Sequence, residues 1–249
     1  MRLAGALAAL ALGPALAAEP AQLEAQFFGA RENLDKGFED WREAGAQLLW
    51  RSGRERSAFL RLRETVRYGE RDREAAAGFS TGLSPGWVAA LEASGAGSAS
   101  VLPEWSALAT IYRELGGGWV VSAAARRAQY ATASVSGANA AVERYVRDLR
   151  FAWTVFESRP EGGAWSPVHR LTASWYGDGD TRVEAGYARG RESENVPGVG
   201  LVTDDVRSAT LSAALGVGRG WALLADLEHH RQGDRYTRQT LRLGARIHF

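Results

Sequence analysis

The sequence predicts an all-β protein: a transmembrane antiparallel up-and-down β-barrel of about fourteen strands, preceded by a cleaved export signal. Three observations carry that expectation. Residues 241–249 alternate strictly, with Leu241, Leu243, Ala245, Ile247 and Phe249 on one face and Arg242, Gly244, Arg246 and His248 on the other. Glycine turns followed by tryptophan recur at Trp87, Trp119 and Trp221. The chain opens with Arg2 and an apolar run that ends in Ala15-Leu16-Ala17. An arginine facing lipid at the bilayer midplane costs roughly 2–4 kcal/mol. A one-residue slip of the last strand would put both of its arginines there, so the pattern fixes which face meets hydrocarbon.

The N-terminal run is too short for a spanning helix and reads as a secretory signal over residues 1–17, with residues 18–249 forming the barrel. A retained anchor helix is the alternative. No cysteine follows the run to accept a lipid, and the chain has none to form disulfides. After Ala18 no apolar stretch reaches the length of a transmembrane helix. Hydrophobic residues make up 45% of the chain, yet mean hydropathy is −0.25, because they alternate with polar ones. Net charge is +1, which removes a general electrostatic case for nucleic-acid binding.

Taken in chain order, rising strands are expected near 22–32, 54–66, 87–96, 119–131, 149–158, 181–192 and 221–231. Returning strands are expected near 41–51, 71–82, 103–115, 136–146, 167–177, 205–216 and 236–249. Each tryptophan turn opens an alternating strand: Trp87-x-Ala89-x-Leu91, Trp119-x-Val121-x-Ala123 and Trp221-x-Leu223-x-Ala225. With Phe249 these tryptophans fit an interfacial belt, where an amphipathic ring sits at headgroup depth; ordinary core tryptophans are the plainer reading. Short connections at 52–53, 84–86, 116–118, 147–148, 177–180 and 218–220 alternate with longer ones, which include 33–40, 97–102, 160–166 and 193–204. Short turns belong on the periplasmic side of such barrels, which places both termini there. Twelve strands is the alternative count, because 54–82 and 136–146 alternate poorly. A soluble eight-stranded barrel would hide its apolar face inside and leave strands unused.

Several later segments carry a resemblance. Val142-Glu-Arg-Tyr145, Arg191-Glu-Ser-Glu-Asn195, Thr203-Asp-Asp-Val-Arg-Ser208 and Gln232-Gly-Asp-Arg-Tyr-Thr-Arg238, with the terminal strand, resemble the YaiO-like family of bacterial outer-membrane β-barrels. The resemblance is strongest from Val142 to Phe249 and implies an outer-membrane location and a barrel architecture. It brings no catalytic residues with it.

Alternation places Glu92, Ser122, Arg126, Arg150, Arg170, Thr172, Glu184, Asp226, Glu228, Arg242 and Arg246 inside the barrel. Asp226 and Glu228 are expected to neighbour Arg242 and Arg246 as an ion-pair ladder, in a lumen either open to solutes or neutralised and plugged. Glu192, Glu194, Asp204 and Asp205 are expected at the base of an extracellular acidic loop. They would pair with Arg189, Arg191 and Arg207 there, or hold a divalent cation. A Ser–His–acid set can be drawn on paper from Ser166 or Ser174, His230 and Glu228; rim histidines, with His169 and His229 among them, are the simpler reading. Adjacent His229 and His230 point to opposite faces of a strand and make no metal site. Gly216-x-Gly218-x-Gly220 joins two strands, so it is a hairpin turn rather than a dinucleotide fingerprint.

No cofactor or metal motif is present, and no feature specifies an oligomeric state. The expected partners are outer-membrane lipid, lipopolysaccharide and the barrel-assembly machinery, the last through the strand ending in Phe249. Three functions fit: a narrow passive or saccharide-related channel, a structural or surface-interaction barrel, and a lipid- or peptide-cleaving barrel enzyme.

Overall fold

A computed structural model describes residues 21–53 and 55–249; the expected signal peptide lies outside the described residues. Fourteen antiparallel strands follow one another around a closed ring. They are β1 Gln22–Leu34, β2 Trp41–Ser52, β3 Arg56–Arg67, β4 Glu70–Ser84, β5 Trp87–Ala96, β6 Trp105–Gly116 and β7 Trp119–Gln129. The second half comprises β8 Ser134–Val146, β9 Leu149–Pro160, β10 Ser166–Tyr176, β11 Arg182–Val196, β12 Gly200–Gly218, β13 Trp221–Gln232 and β14 Tyr236–His248. The first and last strands close the seam, in a register running from Glu24 opposite His248 to Leu34 opposite Arg238. Closure leaves no sheet edge, as a strand in hydrocarbon requires.

Alternation along each strand sorts the side chains. Leu241 and Leu243 on β14, Leu223 and Leu227 on β13, and Leu60 and Leu62 on β3 are all exposed on the outer wall. Their strand neighbours Arg242, Asp226 and Arg61 point inward and line a cavity. No described helix is long and apolar enough to cross a membrane; the strands do the crossing.

The three tryptophan hairpins share one construction. Each has a register shift just before its turn, at Gly82/Ser84, Glu114/Gly116 and Gly216/Gly218. The extra residue is an exposed aliphatic: Leu83, Leu115 or Val217. Gly86, Gly118 and Gly220, immediately before the tryptophans, have φ of 75°, 81° and 77°, a region that favours glycine.

Two connections differ from the sequence expectation. The 193–204 segment is not a loop: β11 and β12 continue to Val196 and from Gly200, leaving only Pro197, Gly198 and Val199 as the turn. The polar residues that suggested a loop alternate between the two faces of a long hairpin. The other connections at that end are also modest, down to Tyr68 and Gly69 alone between β3 and β4. The expected contrast between long loops and short turns is therefore weaker than the sequence suggests.

Candidate functional site

The lumen is built from charges that the strand register lines up across neighbouring walls. Arg61 on β3 bonds Glu92 on β5 at 3.0 Å and lies 3.9 Å from Glu74 on β4. Arg63 bonds Glu74 at 3.0 Å and lies 3.5 Å from Glu43 on β2. Glu43 in turn meets Arg242 on β14 at 2.8 Å. Five strands are thereby joined by one continuous ladder, across the seam. Nearer the turn end, Glu24 lies 3.1 Å from Arg246 and 3.7 Å from Arg51. On the opposite wall Arg150 bonds Glu143 at 2.7 Å and approaches Glu184 at 3.5 Å. Glu184 also accepts from Ser174 at 2.7 Å and from Arg182, with Arg170 at 3.9 Å. A carboxylate in such a wall needs these partners, because an unpaired buried charge is costly.

The cavity between these walls measures about 640 Å³ and is lined by nine arginines and eight carboxylates. Its lining runs from Glu24, Asp180 and Arg246 at the turn end to Glu194, Gln232 and Tyr236 at the other.

At the β11–β12 end of the lumen, side chains from several strands pack together. Trp41 is fully buried, with Tyr68 and Tyr236 packed edge-on against it at 5.0 and 5.5 Å between ring centres. Phe38 closes the group at 6.1 Å from Tyr68 and 5.6 Å from Tyr236. The Arg67 guanidinium lies 4.8 Å from the Trp41 ring and that of Arg238 lies 5.6 Å away, cation–π contacts that keep a cation beside an apolar plug. Over this group reaches the β11–β12 hairpin. Glu194 accepts from Tyr236 at 2.8 Å and from Tyr68 at 3.1 Å, and Arg235 lies at 3.2 Å. Beside it, Asn195 donates to the Ser100 carbonyl at 3.1 Å. In a ring of fourteen, β11–β12 and the β3–β6 wall stand on opposite sides, so the hairpin spans the mouth. The 97–104 connection meets it there, held by Asp72, which accepts the backbone N–H of Ser100, Val101 and Leu102 at 3.0, 2.7 and 2.7 Å. Burial, followed by the nearby Glu194 charge, pushes the Tyr68 phenol above its ordinary range, so it stays a donor.

These placements bear on each sequence expectation. Of the expected lumen residues, Glu92, Arg150, Arg170, Glu184, Glu228, Arg242 and Arg246 enter ion pairs. Asp226 stands opposite Arg242 in register and lines the cavity, but no ion pair or hydrogen bond reaches it or Arg126 among the described residues. Glu228 pairs with Arg238, not with Arg242 or Arg246. The acidic group divides: Glu194 is buried in the mouth, and Asp204 bonds Arg235 at 2.7 Å. Glu192 faces Asp204 across the hairpin, and Asp205 lies 3.9 Å from Arg191. No cluster of metal-ligating side chains is found among the described residues.

The paper triad is not assembled. Ser174 donates to Glu184; His230 pairs with Gln232 at 2.8 Å and lies 3.9 Å from Glu228, which accepts from Ser208 rather than from Ser166 or Ser174. His169 faces outward, stacked on Trp153 at 6.0 Å, while His248 meets Asp180 at 2.7 Å. At the turn end Trp87, Trp119 and Trp221 are exposed, and Arg113 and Arg144 lie 5.0 Å over the first two rings. Phe249 is exposed, and its N–H donates to the Leu23 carbonyl at 2.9 Å.

The residues that sequence reasoning missed, Glu43, Arg61, Arg63, Glu74 and Trp41, sit in the first four strands. Their signal was present: Leu60 and Leu62 alternate with Arg61 and Arg63.

With that geometry in view, comparison with known proteins decides the family. The model of the YaiO membrane β-barrel domain matches residues 24–195. The chain belongs to that family. The match begins in β1 and ends within β11, so it takes in residues 142–195 of the stretch where the sequence resemblance was strongest and the earlier strands where it was thinner. Among solved structures, this YaiO barrel is similar to the CymD monoaromatic hydrocarbon channel, at 8% identity and TM-score 0.61, covering 93% of this chain and 89% of that one. The TodX monoaromatic hydrocarbon channel, in a deletion mutant, matches at 11% identity and TM-score 0.60, over 93% and 91%. A bacterial polysaccharide outer-membrane secretin matches at 12% identity and TM-score 0.56, over 91% and 98%. At these identities the likeness establishes the fold. No curated protein matches the chain. The YaiO barrel is an outer-membrane protein whose exposed apolar wall faces lipid.

Proposed function

We propose that this YaiO barrel is a narrow channel for small polar solutes, saccharides among them, with an outer mouth closed in the described conformation. The charge-lined cavity of about 640 Å³ carries this reading. A lumen whose only task was to fill space would be packed with side chains, as in eight-stranded barrels. Here arginines and carboxylates neutralise one another along the walls and leave room between them, an arrangement that favours hydrated, hydroxyl-rich solutes over apolar ones. The similar structures that are channels agree with passage in general and name no solute for this chain.

For its partners, we take the strand that ends in exposed Phe249 as the segment presented to the barrel-assembly machinery. Residues 1–17 are read as the export signal that precedes it.

Purified barrel in a planar bilayer should give small, infrequent openings. Glu194→Gln, which weakens the hairpin's hold on Tyr68 and Arg235, should make them more frequent. A flat trace for both proteins would defeat the channel. The closed mouth supports a second reading, a barrel that conducts nothing and acts structurally, and the same flat traces would favour it.

A further inference from the structure

The outer wall carries a feature that a passive lipid-facing surface does not need. His169, Arg189, Arg207 and Arg231 stand directly opposite one another on β10, β11, β12 and β13. All four are exposed on the outward face near the end where the hairpin lies. Directly opposed residues on neighbouring strands sit about 5 Å apart, so the row spans about 14 Å. Like charges placed directly opposite on a sheet destabilise it. No carboxylate stands in the row, and neither Arg189 nor Arg207 has an ion pair or hydrogen bond among the described residues. Arg231 is held by Asp234 at 2.8 Å, and His169 is stacked on Trp153.

Elsewhere on the same rim some arginines meet carboxylates, whereas Arg127 meets only serine hydroxyls and Arg159 lies over the Trp165 ring. Arg73 bonds Glu64 at 2.9 Å with Arg71 at 3.7 Å, and Arg31 bonds Asp40 at 2.7 Å. What sets the row apart is that its three arginines stand directly opposite one another on successive strands. Immediately below it come Leu171, Tyr187, Ala209 and His229, and below those Leu211, Leu227 and Leu241, so mostly apolar side chains adjoin it on the membrane side. Short turns, the start of β1 and the end of β14 lie at the other end of the barrel, which puts the row at the outer leaflet.

We infer that the Arg189–Arg207–Arg231 row binds the phosphorylated sugar head of lipopolysaccharide, with the glycolipid's acyl chains lying along Leu171, Tyr187 and Leu211. Guanidinium forks match phosphate oxygens in paired charge-assisted hydrogen bonds. Two phosphates on one head would neutralise adjacent arginines that now only repel each other. The inference stands apart from the channel reading, since it concerns the outside of the wall.

The test uses full-length barrel in detergent, with lipid retention read by native mass spectrometry. Diphosphorylated lipid A, monophosphorylated lipid A, phosphatidylglycerol and inorganic phosphate serve as probes. Diphosphorylated lipid A should be retained best. Arg189→Gln with Arg207→Gln should weaken it by about tenfold or more, the loss expected when charge-assisted hydrogen bonds are removed. Arg71→Gln with Arg73→Gln, on the opposite wall, should leave it unchanged. A heat-modifiable gel shift verifies that each variant is folded. If the glutamine pair does not fold, Arg189→Lys with Arg207→Lys keeps the charge and removes the fork, and should still weaken retention. Equal retention by wild type and the folded row variants would overturn the site. Displacement of lipid A by equimolar inorganic phosphate would overturn the assignment to a lipid head.

Discussion

The Tyr68 hydroxyl donates to Glu194 at 3.1 Å across the outer mouth, joining the β3–β4 turn to a hairpin rooted in the opposite wall. A hydrogen bond to a charged group contributes about 1.5–3 kcal/mol. Tyr236 and Arg235 still hold Glu194 when Tyr68 is lost, so the low end applies. Tyr68→Phe is therefore expected to raise amide exchange across residues 190–204 by about tenfold. Exchange confined to the same rate as wild type would show that the mouth does not depend on this contact.

The same phenol sets a pH limit. Its folded-state pKa is raised, so its contribution is fully present below the ordinary tyrosine value of about 10 and fades as pH climbs past it. The melting advantage of wild type over Tyr68→Phe should hold steady at neutral pH and shrink above about pH 10. A constant advantage into strong alkali would contradict the assignment.

Glu43 joins Arg63 to Arg242 across three strands and the seam. Removing its charge leaves Arg242 without its carboxylate and Arg63 with Glu74 alone, in a largely buried wall. Breaking a buried pair from one side costs about 3–5 kcal/mol. Glu43→Gln should lower the temperature of the unfolded-to-folded gel shift well below that of Arg73→Gln, whose partner Glu64 is exposed. Matching shifts for the two would place the ladder in bulk-like water.

Phe59 lies over Gly78, where an added Cβ would come within 2.4 Å of the ring and 2.8 Å of the Leu91 carbonyl. Gly78→Ala is expected to cost about 1–3 kcal/mol through overpacking. Gly29 has open space at the same position and serves as the control, with Gly29→Ala expected to be mild. Urea or thermal unfolding in detergent separates the two.

On the outer wall, Leu243→Arg should destabilise the barrel by about 2–4 kcal/mol if the residue sits near the midplane. Measured refolding into lipid vesicles checks it, and a neutral result would place β14 the other way round.

How far the sequence was legible depended on what each residue's partner was. β14 could be read residue by residue because lipid imposes a uniform demand on one face, and Leu241 through Phe249 meet it without exception. β3 and β4 were harder. Their outward residues Glu64, Arg71 and Arg73 pair with one another near the rim, so charge appears on both faces and alternation is blurred. Glu192 and Glu194 suggested a loop for the same reason. Both face the lumen, a placement that only makes sense once the hairpin is known to continue past the wall. The arginine ladder also depends on Glu43, which is near Arg242 only after the ring has closed.

Ring closure also governs how the molecule can come into being. The seam pairs β1 with β14, so the earliest strand waits for the last one before its backbone groups are satisfied. Loss of the final strand would therefore not yield a smaller cylinder. It would leave two open edges in hydrocarbon and strand Glu43 without Arg242, so a truncated chain should fail at insertion rather than function at reduced size.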